Sequence, residues 1–158
     1  METDSTTSRE TLINEALRRL ERIDFQGVRL KLADPIEGLG WPEDTIDEAE
    51  SRYRQFLALT HAYPDRTIVP TTFVDVFWHQ HILDTRAYAA DTVAVFGFFL
   101  HHFPYLGMRG KADQEQLARS FEDSNELWAL HFGGATALAG VGSSCSGGSN
   151  CSRCSSAD

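Results

Sequence analysis

The stretch Thr72-Phe73-Val74-Asp75-Val76-Phe77-Trp78-His79-Gln80-His81-Ile82-Leu83-Asp84-Thr85-Arg86-Ala87-Tyr88 decides the fold class. Val74, Phe77, Trp78 and Ile82 recur every three or four residues, and Ala89 and Phe96 carry the same stripe onward. That period belongs to an amphipathic α-helix, whose side chains return to one face every 3.6 residues. Thr72 and Asp75 have capping-box spacing, so the helix is expected to open there and run to about Phe96. Gly97 follows as its stop or hinge, and Pro104 cannot sit in a helix interior.

The segments on either side repeat the pattern. Thr7 and Glu10 have capping-box spacing ahead of Leu12, Ile13, Ala16, Leu17, Leu20 and Ile23, which predicts a first helix beginning near residue 7. Residues 1–6 are expected to be disordered. Thr45 and Glu48 precede Ile46, Ala49, Tyr53, Phe56 and Leu57, a second helix ended by Tyr63-Pro64-Asp65. Asp113 is read as the cap of a last helix carrying Leu117, Phe121, Leu127 and Trp128, which Gly133-Gly134 ends. Between the first two helices Val28, Leu30 and Leu32 alternate with Arg29, Lys31 and Ala33, and are read as an extended connector. The expectation is an all-α domain of about four helices over residues 7–133. A flexible tail, residues 134–158, is dominated by Ser, Gly and Cys and cannot bury enough apolar surface to offset the entropy of ordering.

The 158 residues suit one domain, and a hydrophobic fraction of 42% is ordinary for a globular chain. The net charge of −9, from 14 basic and 23 acidic residues, argues against a nucleic-acid backbone or an anionic membrane as partner. No apolar run approaches the roughly 18 residues of a membrane span. The polar start of the chain lacks the pattern of a secretory signal, so the expected compartment is the cytoplasm. No nucleophile elbow, phosphate loop or dinucleotide fingerprint occurs, and a non-enzymatic role is expected.

Two constellations carry chemistry. The first is the histidine helix, with His79, His81 and Asp84, joined downstream by His101 and His102. Imidazole and carboxylate are the usual nitrogen and oxygen donors for zinc or non-haem iron. His79 and His81 are two residues apart and point about 200° from one another on a helix, so one metal can use only one of them. The other donor is then expected from His101 or His102, returning from beyond Gly97. Against this stands the structural alternative: His81 falls in the apolar stripe, Asp75 is accounted for by capping, and His79 pairs with Asp75 one turn back.

The second constellation is the tail. Cys145, Cys151 and Cys154, all in the last fourteen residues, lie among Ser144, Ser146 and Ser152. A folded domain followed by such a segment resembles a ribosomally made precursor peptide, in which a modifying enzyme cyclises or cross-links Cys and Ser side chains. The spacing of the same three thiols resembles part of a thiolate metal site, which needs a fourth ligand to close, one that His131 could supply only if the tail folded back. The leading expectation is a carrier whose tail is the functional end, with a modifying enzyme or other protein as partner. The alternatives are a metal-binding or sensory domain at the histidine helix, and a protein–protein adaptor using Phe98, Phe99, Phe103 and Tyr105.

The run Val74-Asp75-Val76-Phe77-Trp78-His79-Gln80-His81-Ile82-Leu83, followed by Asp84-Thr85, Tyr88 and His101-His102-Phe103-Pro104, resembles the glycine-rich domain-containing protein-like family. The resemblance covers roughly residues 45–132 and implies a small helical domain, with no settled activity. Plant members carry long glycine-rich regions and are linked to stress and development. This chain departs from them in its short tail, and at Thr92, where the resemblance leads one to expect cysteine.

Overall fold

The computed structural model describes residues 2–133, with side chains from residue 7 onward. It is all-α, with no strand among the described residues. In chain order the helices are α1 (Glu2–Leu20), α2 (Gln26–Ala33), α3 (Glu43–Ala62), α4 (Thr72–Leu83), α5 (Thr85–Phe96) and α6 (Lys111–Phe132). Among the described residues six helices stand where about four were expected, and the two additions have separate causes.

The first addition is α2, which replaces the expected extended connector. Val28 and Leu32 are buried while Leu30 between them is exposed. The apolar pair that matters is therefore four residues apart, the helical interval, and the alternation over 28–32 was coincidental. Burying those two side chains contributes about 1.5–3 kcal/mol each. Arg29, on the outer side, donates to Glu50 at 2.7 Å on α3.

The second addition comes from Asp84, which divides the expected 72–96 helix in two. Its φ of −81° and ψ of 75° leave the helical region, making it at once the C-cap of α4 and the N-cap of α5. Its carboxylate accepts from Ala87 N at 3.3 Å, the side-chain-to-backbone bond that makes Asp a strong N-cap.

Other boundaries shift by smaller amounts. α1 begins at Glu2, so Thr7 and Glu10 are interior residues. Thr11 Oγ1 donates back to Thr7 O at 3.0 Å, as a mid-helix hydroxyl does. α3 starts behind Pro42, two residues ahead of Thr45. α4 is capped by Thr71, whose hydroxyl accepts from Val74 N at 3.4 Å. Asp113 lies in the first turn of α6, behind Gly110 at the cap. Its carboxylate accepts from the backbone of Gly107 and Arg109, so it anchors the preceding loop to the helix.

α3 runs through the middle, touching α1, α2, α4 and α6, and α5 packs on α1 and α4. Its buried face supplies Tyr53, Phe56, Leu57 and Leu59 to a core completed by Leu20, Phe25, Leu32, Phe77 and Tyr88. Arginines close helix ends. Arg54 donates to the carbonyls of Leu20 and Ile23, and its guanidinium lies 4.6 Å from the Phe25 ring centroid. Arg19 donates to Val95 O at 2.9 Å near the end of α5. α6 is fastened by polar contacts, with Trp128 Nε1 donating to Gln55 at 2.7 Å and Tyr63 hydroxyl meeting His131 at 2.7 Å. No helix among the described residues is long and apolar enough to cross a membrane.

Candidate metal centre

The break at Asp84 leaves α4 as a separate three-turn rod whose two faces do different work. Val74, Phe77, Trp78 and His81 turn into the core. Asp75 and His79, one turn apart, lie on the outer side, with His79 half exposed. α5 then runs to Gly97, whose φ of 81° is the left-handed conformation that ends a helix and redirects the chain. The segment beyond it returns across α4 and brings His102 onto Trp78, ring centroids 4.4 Å apart in an edge-to-face contact.

Three donor groups meet there. The Nε2 atoms of His79 and His102 lie 3.3 Å apart. Asp75 Oδ2 is 3.5 Å from His79 Nε2, and Asp75 Oδ1 is 3.5 Å from His102 Nε2. One ligand atom from each residue can be chosen so that all lie within 4.8 Å of one another. Two facing Nε2 atoms share at most one hydrogen in the neutral state, so this arrangement brings lone pairs together where a cation can satisfy them. The distances also bear on geometry. Donors bound at about 2.0–2.1 Å to a tetrahedral zinc lie about 3.3–3.4 Å apart, whereas cis donors on an octahedral ion at the same bond length lie about 2.8–3.0 Å apart.

His81 has a different role. It is 2% exposed, and its Nε2 donates to Asp91 Oδ2 at 3.0 Å. With that nitrogen protonated, Nδ1 is the acceptor, and the buried Tyr53 hydroxyl donates to it at 2.9 Å. Burial pushes the imidazole pKa below its ordinary value, against the opposing pull of Asp91. Burial also raises the pKa of the Tyr53 hydroxyl. The result is a satisfied core histidine linking α3, α4 and α5. Thr92 sits on this side of the molecule, its hydroxyl donating to Tyr88 O at 2.8 Å.

Of the five metal candidates read from the sequence, then, His79 and His102 come together. His81 is committed to Tyr53 and Asp91, Asp84 caps α5, and the His101 ring packs against Phe99 at 5.0 Å. Asp75 is the donor that sequence reasoning assigned to capping. Thr71 takes that task, leaving the carboxylate to face the two histidines. The signal was present in the four-residue spacing of Asp75 and His79. The aromatic residues proposed as a docking surface divide, with Phe99 against Tyr88 and Phe103 against Tyr105. Cys145, Cys151, Cys154, Ser144, Ser146 and Ser152 lie outside the described residues.

Residues 26–126 match the family model described as UCP032817-like, a span that contains Asp75, His79 and His102. No curated protein and no solved structure matches the chain.

Proposed function

The chain belongs to the UCP032817-like family, and we propose that it is a divalent-metal-binding protein whose ligands are Asp75, His79 and His102. The observation that carries this is the convergence of two imidazole nitrogens and a carboxylate at 3.3–3.5 Å, from elements far apart in sequence. Two nitrogens and an oxygen are a borderline donor set suited to zinc and to ferrous iron. Zinc takes such ligands tetrahedrally, and one oxygen of Asp75 with one nitrogen of each histidine lie within 4.8 Å of one another. Three protein ligands leave a coordination position for water or a small ligand, the arrangement of reactive rather than purely structural zinc. When bound, the ion would supply Lewis acidity at that position. The protein's part is to hold two histidines and a carboxylate on a half-exposed face.

The test is native intact mass and metal analysis of the chain purified without chelator, followed by zinc titration. One equivalent of zinc is expected, removable by chelator and lost on His79→Ala or His102→Ala. A chain that takes up no stoichiometric zinc, iron, cobalt or manganese would overturn the assignment.

A further inference from the structure

Tyr88 lies in α5, nine residues from His79 and fourteen from His102 in sequence. It is 1% exposed, packed edge-on against His81 at 4.9 Å and Phe99 at 5.3 Å. Its hydroxyl makes two hydrogen bonds. It accepts from Trp78 Nε1 at 3.0 Å and donates to Leu100 O at 2.6 Å. Those partners are the two supports of the candidate centre. Trp78 precedes His79 on α4 and is the surface on which the His102 ring rests. Leu100 is two residues before His102, on the segment that Gly97 redirects.

Resting on the metal-binding assignment above, we propose that Tyr88 is the positioning residue of this centre: its hydroxyl ties the His102-bearing segment to Trp78 and so sets the gap between His102 and His79. The physical reason is directional. Packing of His102 on Trp78 fixes the height of the imidazole above α4 but leaves it free to slide. By donating to Leu100 O and accepting from Trp78 Nε1, the single hydroxyl oxygen of Tyr88 removes that freedom. Burial pushes its pKa up, so the hydroxyl keeps its proton and remains a donor to Leu100 at physiological pH. Outer groups that orient ligands typically change metal affinity about 10–100-fold when removed.

The experiment uses Tyr88→Phe in the full chain, with Tyr53→Phe as control. Both delete one buried phenolic hydroxyl next to His81, but only Tyr88 reaches the His102 segment. Zinc affinity is read by competition with a chromophoric chelator, and ligand geometry from the visible absorption of the cobalt(II)-loaded protein. Tyr88→Phe is expected to weaken zinc about 10-fold or more and to change the cobalt spectrum. Tyr53→Phe is expected to leave both unchanged while lowering thermal stability. If Tyr88→Phe binds zinc as tightly as wild type with the same cobalt spectrum, the positioning role is wrong and the metal assignment stands. If wild type binds neither ion, the metal assignment itself fails. Equal weakening by both variants would make Tyr88 a general stabiliser and overturn the proposal. Should Tyr88→Phe not fold, Trp78→Phe removes the Nε1 donor to the same hydroxyl, and is judged by the same cobalt and zinc outcomes against Tyr53→Phe.

Discussion

His79 and His102 are 23 residues apart in sequence, yet their Nε2 atoms face each other at 3.3 Å, with Asp75 Oδ2 3.5 Å from the first and Asp75 Oδ1 3.5 Å from the second. The packing of His102 on Trp78 and the one-turn spacing of Asp75 and His79 bring the three together, and the role proposed for them is metal binding. Replacing any one of them tests this directly. Asp75→Asn, His79→Ala and His102→Ala are each expected to lower zinc affinity at least 100-fold by chelator competition. His79→Ala should change the urea midpoint of the metal-free protein little, since surface substitutions usually stay within about 0.5 kcal/mol. Zinc at one hundred times its Kd should raise wild-type stability by about 2.7 kcal/mol, and the variants should lose this increment.

His81→Ala separates the two histidines of the Trp-His-x-His motif. It would leave the Tyr53 hydroxyl and Asp91 without their buried partner and open a cavity among Phe25, Tyr53 and Tyr88. The combined cost is about 3 kcal/mol, from the lost packing and the unsatisfied hydroxyl. Urea unfolding of the metal-free chain is expected to show that loss. Zinc affinity measured on the remaining folded fraction should stay within a few fold of wild type. Loss of zinc without loss of stability would place His81 in the centre instead of the core.

The sequence carried the all-α class because the stripes on α3, α4 and α6 are long and regular. It failed where two interpretations fitted the same letters. Val28, Leu30 and Leu32 satisfy a strand period as well as a helical one, and only burial separates them. Asp84 follows Ile82-Leu83 inside an unbroken stripe, so its capping role becomes visible only once the helix is seen to end. The centre was half legible. His79 and His81 do lie on different faces of α4, as their spacing implied, and His102 does return from beyond Gly97 to His79. Which histidine turns outward depends on how α4 rolls against α3. Which of His101 and His102 faces it depends on the Tyr88 tie to Leu100, a tertiary contact with no local signature.

Asp113 should govern part of the acid sensitivity of the fold. Its carboxylate accepts from Arg109 Nη2 at 2.8 Å and from Gly107 N at 2.7 Å. The Arg109 guanidinium, ahead of the backbone donors, holds its pKa below the usual carboxylate value. A carboxyl whose folded value is depressed stabilises the fold fully above its unfolded pKa of about 3.9, and that contribution disappears as pH falls through the folded value. Thermal melts from pH 5 to pH 2 are therefore expected to fall more steeply for wild type than for Asp113→Asn, which is less stable at pH 5. Parallel curves would show that Asp113 makes no net contribution.

The segment between Gly97 and Gly110 gives the last prediction, because His102 is its only contribution to the centre. Zinc joins this segment to α4, closing a loop of 23 residues between His79 and His102 with a coordinate bond. Backbone amides near residue 102 should then open less often with the metal bound, since local opening must break that bond first. Hydrogen exchange followed by mass spectrometry is expected to show slower exchange in peptides covering 99–104 on addition of zinc. Peptides from α6 should change less, because its fastening through Trp128 and Gln55 does not involve the centre. His102→Ala should abolish the protection. Protection that survives in His102→Ala would mean that zinc acts elsewhere on the chain. Exchange unchanged by zinc in wild type, despite stoichiometric binding, would remove His102 from the ligand set and leave Asp75 and His79 as donors to a different centre.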